Sequence, residues 1–245
     1  MSTVPPPKFL TVEPRGTHTA TVVFIHGLGD SGAGWQPVAQ MLGRSDALAH
    51  VKWILPHAPN QPVTVNGGMR MPSWYDLYSL GDAESFKAER KEDEQGMLRS
   101  RDSILSLINK DIEAGIPQER IVVGGFSQGS VVSLLVALTG PLKLGGLVVA
   151  SGYMPLASKI KEMATSHAVE IPVFWAHGKA DPLIPFRVAE SSLSLARAQL
   201  GFMNAAPGST AGIEFHAYDG MGHSANDEEI VALGQWLARV VPKSG

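Results

Sequence analysis

The chain has 245 residues, of which 44% are hydrophobic and 18% charged, and its formal net charge at pH 7 is −3. This composition is typical of one globular domain, and the slightly acidic balance gives no basic field for nucleic acid. The sequence contains no cysteine, which excludes disulfides, thiolate metal sites and a cysteine nucleophile.

Short apolar runs rich in β-branched residues predict the strands of a parallel sheet that is covered on both faces. These runs are residues 19–25, 51–55, 121–124, 146–150, 172–177 and 213–218. Helical patterns separate them, at residues 104–112, 130–139, 188–201 and 228–240. The repeating β-α order predicts a three-layer α/β fold with a mostly parallel central sheet and helices on both faces.

Residues 1–17, which include three consecutive prolines, are predicted to form an N-terminal arm, and residues 18–245 a single α/β domain. The segment 60–82 has no periodicity and is rich in Gly, Pro, Met and aromatic residues, and long loops of this kind tend to be functional. The fourth predicted strand ends at residue 150 and the fifth begins at 172, which leaves no room for a large cap domain. We therefore expect an open site.

Residues 125–129 (GFSQG) fit the pattern G-x-S-x-G, with Ser127 at its centre. A strand leads into the pattern and an apolar helix leads out, which is the context of a nucleophile elbow. Serine needs a base to remove its proton, and a sharp turn between strand and helix exposes its hydroxyl. The sequence therefore predicts Ser127 as a nucleophile; the alternative is a helix N-cap serine followed by a packing glycine.

Asp181 and His223 are the predicted acid and base, because each follows a predicted strand and the order Ser, Asp, His is that of α/β-hydrolases. Asp76 and Asp219 are weaker alternatives for the acid, since the first precedes Ser127 and the second lies only four residues before His223. The other candidate histidines are predicted at the surface or inside strands. Those predicted at the surface are His18, His50 and His167, and those inside strands are His177 and His216.

A glycine-rich turn, residues 26–30 (HGLGD), follows the first strand and suits an oxyanion hole. We expect the backbone N–H groups of Leu28 and Gln128 to stabilise the developing negative charge. The alternative is a plain β-α connection without a chemical role.

Several motifs in this order resemble one family. They are residues 24–35 (FIHGLGDSGAGW), 55–77 (LPHAPNQPVTVNGGMRMPSWYDL), 124–130 (GGFSQGS), 177–185 (HGKADPLIP) and 221–224 (MGHS). The chain is similar to the acyl-protein thioesterases, the lysophospholipase/carboxylesterase family of small α/β-hydrolases. The resemblance implies hydrolysis of palmitoyl thioesters on protein cysteines and of single-chain lipids or simple esters. It implies no metal and no organic cofactor.

The chain departs from the family pattern at Ser130, where a second glycine is expected, and at residues 152–154 (GYM), which replace a bulkier stretch. The apolar residues of the flanking loops are predicted to form an acyl-chain groove; the alternative is that they only seal the edge of the domain. They are Met69, Met71, Trp74, Leu77 and Leu183. Methionine suits an adaptable apolar groove.

Two other functions remain open at this stage. The first is a general carboxylesterase or lysophospholipase without a protein substrate, since the same triad serves all of them. The second is a non-catalytic α/β-hydrolase that binds a ligand. Because the sequence has no signal peptide and no long apolar run, we expect a cytoplasmic enzyme with at most transient membrane contact.

Overall fold

The computed structural model of the chain describes residues 4–81 and 90–243, and within these ranges its centre is a seven-stranded sheet. Its strands are β1 (Phe9–Val12), β2 (Ala20–Ile25), β3 (Val51–Pro56), β6 (Ile121–Phe126), β7 (Gly146–Ala150), β8 (Val173–Gly178) and β9 (Ile213–Tyr218). A separate hairpin consists of β4 (Asn60–Val63) and β5 (Met69–Pro72). The α-helices are α1 (Gly32–Leu42), α2 (Glu94–Glu113), α3 (Gln128–Thr139), α4 (Ile160–Met163), α5 (Phe186–Leu195) and α6 (Asp227–Val240).

The strand order is β1-β3-β2-β6-β7-β8-β9, and all neighbours are parallel except β1, which runs antiparallel to β3. The chain passes from β2 to β3 on one side and then returns to the other side of β2 with β6. Open α/β sheets bind ligands at such a reversal, beyond the carboxyl ends of the strands. We therefore expect the functional site beyond the carboxyl ends of β2 and β6.

Alternate residues of the central strands face two separate cores. Val23 and Ile25 of β2 pack in the core that contains α2, α3 and α5, whereas Val22 and Phe24 pack in the core with α1 and α6. This alternation follows from the two-residue period of a strand. The three-layer α/β fold predicted from the sequence is confirmed. Between β7 and β8 the only α-helix is the four-residue α4, so no cap domain is inserted there.

The six predicted strands are present with ends within two residues of the prediction. The structure adds an edge strand, β1, inside the predicted N-terminal arm, because residues 9–12 pair with β3. This stretch belongs to the sheet, while the division of the chain at residue 17 stays a prediction. The predicted loop 60–82 contains the β4–β5 hairpin, and its last residue, Asp82, lies outside the described residues. Within the described ranges, no helix combines the length and the apolar character that crossing a bilayer requires.

A carboxyl group in the first turn of α6 makes stability depend on pH. Glu229 is buried, its Oε2 has no hydrogen-bond partner among the described residues, and burial raises its pKa to about 8. The pKa of a glutamate in the unfolded chain is about 4.5, so below this pH the carboxyl group is protonated in both states and does not oppose folding. Its opposition to folding grows as the pH rises to about 8.

We expect Glu229→Gln to raise the free energy of unfolding by about 3 kcal/mol at pH 7 and to leave it unchanged near pH 4.5. Urea unfolding of both proteins at the two pH values measures this. Glu228→Gln, on the exposed side of the same turn, is the matched control and should not show the difference. Equal stabilisation by Glu229→Gln at both pH values would contradict the assignment.

Candidate active site

The three predicted residues of the triad lie in one hydrogen-bonded chain at the carboxyl ends of β6, β8 and β9. His223 Nε2 is 2.8 Å from Ser127 Oγ, and His223 Nδ1 is 2.7 Å from Asp181 Oδ2. These distances suit one proton on Nδ1 that is donated to the carboxylate and a lone pair on Nε2 that accepts from the hydroxyl. The arrangement allows His223 to remove the proton of Ser127 while Asp181 fixes the tautomer and the ring orientation.

Ser127 occupies a strained turn between β6 and α3. Its φ is 54° and its ψ is −118°, a conformation that few residues other than glycine adopt. The flanking glycines are required by close approach of the backbone. A Cβ at Gly125 would lie 2.5 Å from the carbonyl carbon of Gly129, and one at Gly129 would lie 2.0 Å from Ile25 O. The G-x-S-x-G pattern is thus explained by packing as well as by the exposure of the hydroxyl.

Asp181 is buried and remains an acceptor because its surroundings supply donors. Its Oδ1 accepts hydrogen bonds from the backbone N–H groups of Leu183 (2.8 Å) and Ile184 (2.9 Å). Burial acts to raise the pKa of Asp181, but the hydrogen bonds from His223, Ile184 and Leu183 outweigh it and hold this pKa below its ordinary value. The carboxylate is therefore charged at neutral pH and available to stabilise an imidazolium.

His177 supports the turn that presents Asp181, a role that the sequence did not indicate. Its Nε2 lies 2.8 Å from Ile184 O, and burial lowers its pKa, so the ring is neutral and donates from Nε2. The rival acids have other partners. Asp76 accepts from the backbone N–H and the hydroxyl of Thr64, and the exposed Asp219 pairs with Lys179. The prediction that His50 lies at the surface is wrong, because it is only 2% exposed and its Nδ1 lies 2.9 Å from Thr19 Oγ1.

The predicted oxyanion turn lies directly beside the nucleophile. Ile25 and Gly125 are register partners at the ends of β2 and β6, which brings the following turns together. Leu28 and Gln128 line the same cavity as Ser127 and His223. In the described part of the chain, neither backbone N–H donates a hydrogen bond to a protein acceptor. The two donors are therefore free to bind an oxygen atom of a substrate.

The side chain of Gln128 connects this site to the loop after β5. Its Oε1 accepts from Trp74 N (2.9 Å), and its Nε2 donates to Tyr75 O (2.8 Å) and to Ser73 Oγ (3.0 Å). The indole N–H of Trp74 donates to His26 O (2.9 Å) in the oxyanion turn. One amide thus satisfies several buried groups and joins the nucleophile elbow to the 73–75 loop.

We expect Gln128→Leu to lower the free energy of unfolding by about 2–4 kcal/mol, because it leaves buried backbone groups of Trp74 and Tyr75 without partners. Urea denaturation measures the effect. Gln40→Leu, on the exposed face of α1, is the matched control and should change stability by less than about 0.5 kcal/mol. Equal stability of the two variants would show that the amide hydrogen bonds contribute nothing.

An apolar cavity of about 190 Å³ opens beside the Ser127 hydroxyl. Of the residues predicted for an acyl groove, only Leu77 and Leu183 line it. The other three predicted residues do not line this cavity. Met69 and Met71 lie on the β4–β5 hairpin, where Met69 is 65% exposed, and Trp74 is buried with its indole directed at the oxyanion turn.

The sequence reasoning missed other residues that line this cavity. They are Tyr75, Leu80, Phe126, Tyr153 and Ile184. Tyr75 and Leu80 lie in the 60–82 segment that the sequence marks as functional, but no local pattern distinguishes Tyr75 from Trp74. Tyr153 has no local signal either, and its hydroxyl lies 3.1 Å from that of Tyr75.

The two departures from the family pattern, at Ser130 and at residues 152–154, lie against each other in the structure. A Cβ at Gly152 would lie 1.8 Å from Ser130 Oγ, which donates to Ser127 O (2.7 Å). A larger residue at position 152 therefore requires Ser130 to move or a smaller residue at position 130. The paired exchange leaves the nucleophile elbow in place.

A parallel sheet flanked by helices, with a serine, a histidine and an aspartate at its carboxyl edge, defines the class of α/β-hydrolases. The sequence model of the Phospholipase/Carboxylesterase family matches residues 7–241. The chain belongs to this family and is a hydrolase.

The most informative relatives are acyl-protein thioesterases. The chain is 46% identical over 233 residues to acyl-protein thioesterase 1 of Cryptococcus neoformans var. neoformans, covering 94% of this chain and 96% of the relative. It is 40% identical over 232 residues to acyl-protein thioesterase 1 of Schizosaccharomyces pombe, covering 94% and 95%. Among solved structures, Zea mays acyl-protein thioesterase 2 is similar with a TM-score of 0.78 and 29% identity, covering 96% of this chain and 99% of the other. Arabidopsis thaliana SOBER1 has a TM-score of 0.80 and 31% identity, covering 91% and 99%.

Proposed function

We propose that the protein hydrolyses long-chain acyl thioesters on cysteines of partner proteins, and related esters, through an acyl-enzyme on Ser127. The observation that carries this proposal is the chain of hydrogen bonds from Asp181 through His223 to a serine that borders an apolar cavity. The names of the relatives support a thioester as the substrate.

The reaction proceeds in two steps. Ser127 Oγ attacks the acyl carbonyl while His223 Nε2 takes the hydroxyl proton, and the resulting imidazolium is stabilised by Asp181. The N–H groups of Leu28 and Gln128 bind the oxyanion, which typically lowers the barrier by about 3–4 kcal/mol for each donor. The carbon–sulfur bond then breaks and the thiolate takes the proton from His223. Water repeats the sequence on the acyl-enzyme and releases the fatty acid.

The apolar side chains around the cavity provide the contacts for the first part of an acyl chain. Leu77, Leu80 and Ile184 line it, and Leu183 at the mouth is 40% exposed. Each buried CH₂ contributes at most about 0.8 kcal/mol, so two extra carbons raise kcat/KM by roughly tenfold while the cavity is being filled. A partly open mouth suits a leaving group as large as a protein.

A comparison of substrates tests the proposal. We expect kcat/KM to be higher for a palmitoylated peptide thioester than for the matched lysophospholipid, and higher than for a short simple ester. A preference for the lipid would instead support a lysophospholipase, and a preference for the short ester would support a general carboxylesterase. If none of the three substrates were hydrolysed, the result would instead support a protein that binds a ligand without catalysis. Cell fractionation tests the accompanying proposal of a cytoplasmic location with only transient membrane contact.

Filling the cavity should change the dependence on chain length. We expect Leu77→Trp to lower kcat/KM for a palmitoyl thioester by tenfold or more while the value for an acetyl thioester stays within about twofold, since two or three buried CH₂ groups are lost. Met69→Trp, on the exposed hairpin, is the matched control and should keep the wild-type profile. An identical profile in all three proteins would remove this cavity as the acyl site.

A further inference from the structure

A second cavity, of about 470 Å³, lies on the other side of the loop after β5. Trp74 lines this second cavity, whereas the next residue, Tyr75, lines the one beside Ser127. The two cavities share no lining residue. The second cavity is therefore separate from the proposed acyl site, and its volume is typical of small-molecule sites.

The cavity is preformed because hydrogen bonds hold its roof, residues 4–8, in place. Ser106 Oγ donates to Val4 O (2.7 Å), and Ser103 Oγ donates to Pro5 O (2.8 Å) from α2. His57 N donates to Lys8 O (2.7 Å), and β1 begins directly after Lys8. The three prolines have fixed φ angles and no N–H groups, so the roof adds apolar surface without unsatisfied donors.

The lining combines apolar walls with positive charge. The walls consist of residues 5–7, Ala58, Pro59 and Trp74, and the cations are Lys8 and Arg99. No Asp or Glu of the described residues lines the cavity, and neither Lys8 nor Arg99 forms an ion pair within the described ranges. His57 is also part of the lining, and Gly32 N donates to its Nδ1 (3.2 Å), which leaves the ring proton on Nε2 as a further donor.

We infer that this second cavity binds a single-chain anionic amphiphile of the long-chain carboxylate class. An alkyl chain matches the proline, alanine and tryptophan walls, and a carboxylate matches Arg99, Lys8 and the Nε2–H of His57. A cationic amphiphile is disfavoured, because these cations would face it without a neighbouring acid. The inference rests on this lining alone and does not require Ser127 to be the nucleophile.

The position of the cavity connects its occupancy to the oxyanion turn. Ala58 and Trp74, which form one wall, both contact His26. Ala58 N donates to His26 Nε2 (3.1 Å), and Trp74 Nε1 donates to His26 O (2.9 Å). The alkyl chain of a bound amphiphile would therefore touch the two residues that support the turn containing Leu28.

Calorimetric titration with dodecanoate, in the Leu77→Trp background that fills the first cavity, tests the assignment. We expect one binding site, and we expect Arg99→Glu to weaken it by at least tenfold because an attraction becomes a repulsion. Arg99→Lys should retain most of the affinity, and dodecyltrimethylammonium should not compete. Arg99 is exposed and unpaired among the described residues, so its replacement does not threaten folding, which circular dichroism verifies.

Arg44→Glu provides the same change of charge at the end of α1, outside the cavity lining, and should leave dodecanoate binding unchanged. The inference is overturned if dodecanoate does not bind, if Arg99→Glu binds it as well as the parent protein, or if Arg44→Glu weakens it equally. Failure of the proposed function is seen separately, as absence of thioester hydrolysis in the wild type, and does not change the expected dodecanoate binding.

Discussion

Ser127→Ala is expected to lower kcat for thioester hydrolysis by about 10⁶-fold, the loss found when a triad that acts as a unit loses its nucleophile. The hydroxyl is the atom that forms the acyl-enzyme, and His223 Nε2 at 2.8 Å is positioned to take its proton. Alanine keeps the Cβ in the same turn, so the strain at φ 54° is not increased and the fold should be preserved. Steady-state kinetics and thermal unfolding of the same preparations measure both effects.

Ser45→Ala is the matched control, because this serine is exposed at the end of α1 and lies outside the cavity beside Ser127. It should have wild-type kcat. If folded Ser127→Ala keeps activity within tenfold of the wild type, a group other than this hydroxyl performs the attack.

Asp181→Asn should lower kcat by about 10⁴-fold while leaving the fold intact. The N–H groups of Leu183 and Ile184 require an oxygen at the Oδ1 position, so the amide nitrogen would take the Oδ2 position that faces His223. An N–H donor there places the imidazole proton on Nε2, and the ring can no longer accept from Ser127. The loss should appear in kcat at all pH values at which the wild type is active.

Asp219→Asn separates this effect from a general loss of negative charge near His223. Asp219 is exposed, pairs with Lys179, and was the rival candidate for the acid. Its replacement should leave kcat within about twofold of the wild type. If instead Asp219→Asn were the more damaging change, the acid would have been misassigned.

The fold, and the meeting of Ser127, Asp181 and His223 at one place, were predictable because strong local signals agree with the global fold. The parallel strands are continuous apolar runs, and Ser127 follows one of them in a pattern whose glycines are dictated by contacts under 3 Å. Asp181 and His223 each follow a strand, and strand ends share one edge of a parallel sheet. The meeting of these residues, which lie far apart in the sequence, can therefore be predicted without knowledge of the tertiary structure.

The lining of the proposed acyl cavity was less predictable, because it depends on the directions of side chains in loops without regular secondary structure. Met69 and Met71 are apolar residues of the kind that suits an acyl groove. They lie on β5, which pairs with β4 in a hairpin outside the main sheet, and they do not line the cavity. Trp74 and Tyr75 are neighbours whose side chains line different cavities, and tertiary hydrogen bonds hold each of them in place. Likewise, the close approach of Gly152 to Ser130, which leaves no space for a Cβ at position 152, is a contact between elements that no local pattern predicts.

Intact-mass spectrometry of the enzyme during turnover of a palmitoyl thioester, followed by peptide mapping, tests the central claim most directly. The account predicts a palmitoyl adduct on the peptide that contains Ser127, which accumulates when the reaction is quenched with acid and is absent from Ser127→Ala. A palmitoyl adduct on another residue, or its persistence in Ser127→Ala, would contradict the account.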